Sequence, residues 1–135
     1  MPLIEVMPLA AVGGAVMFVL IATAWGGDTL PHGWLLPAGL SAAFFAWSLW
    51  AVAKEGPLGF WAVHTTSLWG NQVWFDLLLA VSIGWWLALP RLRAAGMNAW
   101  GWLLPIVTTG CIGFLAMIAR LMYLSEKARQ ERAPL

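Results

Sequence analysis

The sequence predicts an all-α fold: an up-and-down four-helix bundle embedded in a membrane, with no soluble domain. Three observations carry this expectation. The 135 residues are 61% hydrophobic and only 10% charged, whereas soluble domains are roughly half apolar and a quarter charged. Four stretches approach the ~20 apolar residues that a helix rising ~1.5 Å per residue needs to cross ~30 Å of hydrocarbon. Between them lie short segments rich in Gly, Pro and charge, which belong in turns at a bilayer surface. Backbone groups in lipid must bond internally, which selects helices, and four strands could not close a barrel.

The first helix is expected over residues 6–25, where Val6 to Trp25 carries no charge. Ala22-Thr23-Ala24 imitates the small-residue site of a cleaved leader, but Glu5 and the lack of any Lys or Arg before the run favour a retained helix. Gly26-Gly27-Asp28 supplies the turn. The second helix is expected over 34–53 and stops at Lys54-Glu55-Gly56-Pro57. The third covers 68–89, interrupted only by Asp76, and ends at Pro90-Arg91-Leu92-Arg93. The fourth runs over 99–124, uncharged until Arg120, and gives way to a basic tail at 125–135. Residues 1–135 thus form one transmembrane domain.

The eleven Trp residues check this threading, because Trp favours the headgroup interface. Trp25, Trp34, Trp85, Trp86, Trp100 and Trp102 fall at one surface, and Trp47, Trp50, Trp61, Trp69 and Trp74 at or near the other. With four crossings, Lys54, Lys127, Arg129 and Arg132 share the second surface, against Arg91 and Arg93 on the first. The positive-inside rule then makes the second surface cytoplasmic and places both termini there.

Gly33-Trp34-Leu35-Leu36-Pro37 recurs as Gly101-Trp102-Leu103-Leu104-Pro105 at the start of the fourth helix. Two readings stand: a duplicated helical hairpin, as in parallel-repeat transporters, or shared grammar. In the second, Gly leaves a turn, Trp anchors the interface and Pro is tolerated in a first helical turn.

Net charge +1 and the absence of a concentrated basic face argue against a nucleic-acid partner. A single cysteine, Cys111, allows no intrachain disulfide. His32 and His64 thread to opposite surfaces, so no haem pair, metal-ligand spacing or cofactor motif emerges.

Asp76 is the residue most suggestive of chemistry, since a carboxylate within a membrane helix costs about 2.5–3.5 kcal/mol on insertion scales. It lies about 12 Å along the third helix. In an antiparallel fourth helix Arg120 reaches a similar depth, and Glu5, His64, Asn71 and Gln72 enter from the same side. Either Asp76 pairs with Arg120 or Gln72 and fixes packing, or it is a protonated acid lining a cavity. Small-residue seams are expected at Ala10 with Gly14, Gly39 with Ala43, Gln72 with Asp76 and Ala80, and Thr109 with Gly113, Ala116 and Arg120. They would turn Asp76 and Arg120 inward.

Phe75-Asp76-Leu77, Arg91 to Gly96, Trp100 or Trp102, Thr109-Gly110-Cys111-Ile112-Gly113-Phe114-Leu115 and Tyr123 together resemble a loosely defined family of small bacterial four-helix membrane proteins of unknown function. The early Asp and late Gly-rich helix are also similar to neoxanthin-synthase-like carotenoid proteins. There a His closely precedes the Asp, and its nearest counterpart here is the more distant His64.

Three functions are compatible with these features. The first is a non-catalytic accessory or lipid-binding subunit that contacts membrane lipids and is able to join an oligomer or larger membrane complex. The second, which the carotenoid resemblance implies, is an intramembrane isomerase or cyclase acting on an isoprenoid. Asp76 would be its acid, Arg120 would assist, and Trp47, Trp50 and Trp74 would stabilise a carbocation beside Gln72, Asn71 and His64. The third is a small proton-coupled transporter using Asp76.

Overall fold

The computed structural model describes residues 3–25 and 30–132. The expected turn at Gly26-Gly27-Asp28, the side chain of Trp25 and the last residues of the tail lie outside the described residues. Those described are helical throughout apart from short connections, so the all-α class holds. The chain divides into two units, Met1–Gly33 and Trp34–Leu135.

The first unit contains one helix, α1 (Leu3–Trp25). Its apolar side chains are exposed along its length, Leu9 by 64% and Leu20 by 63%. Residues 5–24 are long and apolar enough to cross a membrane.

The second unit contains the remaining five described helices. The first of them, α2 (Leu35–Glu55), accommodates Pro37 in its first turn, where a missing N–H costs little. It ends at Gly56, which adopts φ +83° ahead of Pro57. A short helix, α3 (Gly59–Thr65), follows, and then α4 (Leu68–Ala94), whose N-terminus is capped by the Ser67 hydroxyl accepting from the Gly70 N–H at 2.9 Å. Both α2 and α4 have the length and hydropathy of a membrane span.

Two features of α4 depart from expectation. Pro90 does not end it, and Arg91 to Arg93 are helical. The actual stop is Gly96, at φ +69°, where the Met97 N–H reaches the Leu92 carbonyl at 3.0 Å and the Gly96 N–H the Arg93 carbonyl at 3.1 Å. This paired closure is the exit that a left-handed glycine provides. The proline removes one backbone bond, whereas the extra turn buries Leu92 completely.

The expected continuous helix over 99–124 is instead two helices, α5 (Ala99–Thr109) and α6 (Cys111–Arg132), which pack against one another. Gly110 joins them at φ +59° and ψ −122°, a backbone region that side chains effectively bar. Beyond it the chain folds back on itself. A Cβ on Gly113 would stand 2.5 Å from the Pro105 carbonyl carbon and oxygen, although a continuous helix would separate these residues by about 12 Å. The Thr109 hydroxyl donates to the Pro105 carbonyl at 2.6 Å and accepts from the Gly113 N–H at 2.9 Å. It therefore ties the two arms together at the corner.

The fold-back sets the direction of α6. Against α2 it is antiparallel, since the Ser41 hydroxyl donates to the Ile112 carbonyl at 2.9 Å while Trp34 meets Tyr123 edge-on at 5.5 Å. Against α4 it is parallel. Gly84 lies under the Phe114 ring, and Arg91, Ala94 and Ala95 share a groove with Leu124, Lys127 and Ala128. The buried core, Ala88, Leu92, Ile106, Met117 and Leu121, sits where α4, α5 and α6 converge.

One end of this unit therefore gathers Arg91, Arg93, Lys127, Arg129 and Arg132, and the opposite end carries Lys54. The four-crossing threading had placed Lys54 with the tail. The reversal at Gly110 moves the tail to the Arg91 side.

Filling the crowded corner should destabilise the hairpin. Gly113→Ala is expected to cost about 1–3 kcal/mol through overpacking, whereas Gly39→Ala, in open space, should be neutral or gain up to about 1 kcal/mol. Thermal unfolding in detergent compares them, and equal stabilities would contradict the packed corner.

Candidate functional site

The more enclosed face of helix α4 is the stripe Trp74, Leu77, Val81, Gly84, Trp85, Ala88 and Leu92, half-buried as far as Trp85 and buried at Ala88 and Leu92, at spacings of three, four and one residues. At about 100° per residue, Asp76 lies some 130° away from the middle of that stripe. It is exposed. The expected seam of Gln72, Asp76 and Ala80 is an outward face, and the inward one is the Trp74 to Leu92 stripe. Gly39 and Ala43 on α2 are exposed as well. There the packed positions are Trp34, Pro37, Ala38 and Ser41, whereas Gly113 and Ala116 do face inward on α6.

The sequence-expected residues separate into four groups. Gln72 donates from its amide to Asp76 Oδ1 at 3.4 Å, one turn along α4. Arg120 is exposed, and its guanidinium stands 5.6 Å from the Tyr123 ring centre. Asp76 and Arg120 form no ion pair. Parallel packing explains this, since Asp76 precedes Gly84 on α4 while Arg120 follows Phe114 on α6. Trp47 and Trp50 touch each other on α2, with ring centres 4.9 Å apart.

The fourth group is the most closely built. His64, Asn71 and Trp74 meet where α3 turns into α4, joined by Phe60. The His64 ring lies 5.0 Å from Trp74, and Phe60 lies 6.0 Å from it. His64 Nδ1 is 3.1 Å from the Gly70 carbonyl. A carbonyl only accepts, so Nδ1 carries the proton of this bond, which leaves Nε2 as the acceptor in the neutral ring. The Asn71 amide donates to the His64 carbonyl at 2.6 Å. Gly70 permits this approach, because any side chain there would strike the Val63 carbonyl. Each of these bonds joins α3 to α4, so the group works as a clasp that holds the corner. Phe60 was not singled out from the sequence, although its spacing of four from His64 places both on one face of α3.

The sequence reading also missed a groove of about 560 Å³ at the other end of the unit. Arg91, Ala94 and Ala95 of α4 form one wall, and Leu124, Ser125, Lys127, Ala128 and Glu131 of α6 the other. The Lys127 ammonium stands 3.9 Å from Glu131, both side chains being more than half exposed. Only the parallel course of α4 and α6 brings these walls together. Among the described residues, no group of three or more His, Cys, Asp or Glu side chains is arranged to hold a metal ion.

The chain matches no family model, no curated protein and no solved structure.

The geometry predicts that Asp76 and Arg120 act independently. Asp76→Asn and Arg120→Met should each change stability in detergent by less than about 0.5 kcal/mol, and their effects should add. A double-mutant cycle with coupling above about 1 kcal/mol would contradict this. His64→Ala should instead loosen α3, measured as faster amide hydrogen exchange over Gly59–Thr65 with α6 unchanged. Unchanged protection of α3 would show that the clasp contributes nothing.

Proposed function

We propose that this chain is a small multi-pass protein of a bacterial inner membrane, acting as a non-catalytic accessory or lipid-binding subunit. The observation that supports it is the outward apolar surface of the helices long enough to cross a bilayer. On α4, Leu79, Ile83 and Leu87 are 60%, 59% and 67% exposed. Water would disfavour such a surface, and lipid tails or neighbouring helices are its natural cover.

In this reading α1, α2 and α4 cross the bilayer. At 11 residues, α5 rises only about 16 Å and cannot cross, so α5 and α6 form a re-entrant hairpin that enters and leaves by one face. Such a hairpin is tolerated in a membrane where its backbone groups are bonded within the protein, as the Gly110 N–H is to the Ile106 carbonyl and the Gly113 N–H to the Thr109 hydroxyl. Arg91, Arg93, Lys127, Arg129 and Arg132 against Lys54 make the hairpin's face the cytoplasmic one. Three crossings then put the start of α1 on the outer face, and the tail stays cytoplasmic.

The isomerase or cyclase reading draws less support, because its acid, Asp76, and its aromatic, Trp74, point to different sides of α4. The transporter reading needs a polar path past Asp76, whose hydrogen-bond partner among the described residues is Gln72. Mass spectrometry of molecules copurifying with the detergent-extracted protein should return phospholipid; a stoichiometric isoprenoid would overturn the accessory reading in favour of the enzyme.

Topology offers a separate test. In a Cys111→Ala background, single cysteines at Met97 and Arg129 should react with an impermeant reagent from the same face, and one at Leu58 from the opposite face. Labelling of Met97 and Arg129 from opposite faces would restore four crossings.

A further inference from the structure

We infer that the groove between the ends of α4 and α6 is a binding site for the headgroup of an anionic phospholipid. The inference rests on the lipid-binding reading above and gives it a ligand and a location. Three properties of the groove carry it.

The first is charge. Arg91 and Lys127 stand on opposite walls with Glu131, and the same two helix ends carry Arg93, Arg129 and Arg132 against one further carboxylate, Glu126. A phosphodiester between the walls would meet a guanidinium from one side and an ammonium from the other. Lys127 already pairs with Glu131 at 3.9 Å and Arg91 is engaged within the protein as well, but both cations are exposed, and exposed contacts of this kind are weak and exchange readily for a better anion.

The second is the lining between the charges. Ala94 and Ala95 on one wall and Leu124 and Ala128 on the other add apolar surface to the groove, suited to a glycerol backbone and the first carbons of an acyl chain. A site for a soluble anion has no use for such surface.

The third is position. The groove opens where two helices leave their apolar stretch and turn basic, at the level a headgroup occupies. Basic pockets between helices on the cytoplasmic side bind anionic headgroups for this reason.

The test uses the full chain in detergent with phosphatidylglycerol or phosphatidylcholine added, read by native mass spectrometry. Phosphatidylglycerol should be retained at least tenfold better than phosphatidylcholine, and ~0.5 M salt should erase most of the preference by screening. The double variant R91Q/K127Q should lose it. R93Q/R129Q removes the same charge outside the groove and should keep it within about twofold. These substitutions are at exposed positions, and circular dichroism would verify that helix content is preserved.

Equal loss in both variants, or a preference that survives high salt unchanged, would overturn the groove as the site. Protection of the parent against heating by inorganic phosphate as strong as that by phosphatidylglycerol would overturn a lipid as its occupant. Retention of both lipids without preference would also sink the groove while leaving the lipid-binding reading intact. Retention of neither lipid would remove both.

Discussion

The backbone reversal at Gly110 decides which parts of the second unit can meet. A residue with a side chain would be strained at φ +59° and ψ −122°, and one at position 113 would collide with Pro105. Two glycines three residues apart therefore let α5 and α6 close into a hairpin, and Thr109 bonds to both arms. Once α6 runs back beside α4, Leu92, Ile106, Met117 and Leu121 converge into one core, and every cation of the tail joins Arg91 and Arg93. The core, the charged end and the groove all depend on this corner.

Packing elsewhere is sparse, which accords with a chain that does not rely on water to drive its helices together. Contacts are made where small residues allow close approach: Gly84 beneath Phe114, Gly70 beneath α3, Gly113 against Pro105. The buried Ser41 hydroxyl is satisfied by a carbonyl of α6, a bond that holds α2 in register where apolar packing alone would let it slide. The large apolar side chains mostly point outward, where hydrocarbon would solvate them.

The sequence made much of this legible. Three long helices emerge near the expected positions because continuous apolar runs bounded by Gly, Pro and charge have few other solutions. Trp34, Trp100 and Trp102 lie toward one end, and Trp61, Trp69 and Trp74 toward the other, as their threading implies. The hairpin was hidden because hydropathy records length but not direction: an apolar run of 21 positions, Ala99 to Ala119, reads alike whether it crosses once or turns back halfway. Thr109-Gly110-Cys111-Ile112-Gly113 after Pro105 was the available sign, and its glycines read equally well as a seam. From that one misreading followed the pairing of Asp76 with Arg120 and the grouping of the tail with Lys54. Asp76 was turned inward on the expectation that a membrane carboxylate seeks the interior. The spacing of Trp74, Leu77, Val81, Gly84 and Ala88 already marked the other side of α4 as the packed one.

The parallel course of α4 and α6 can be measured as one distance. Spin labels at Ala94 and Ala128, in a background lacking Cys111, should lie within about 20 Å of each other in lipid, since both positions line one groove. A helix continuous from Ala99 to Ala128 would carry the second label about 45 Å away. A narrow short-distance distribution is the result this account predicts, and a distribution centred near the longer distance would contradict it.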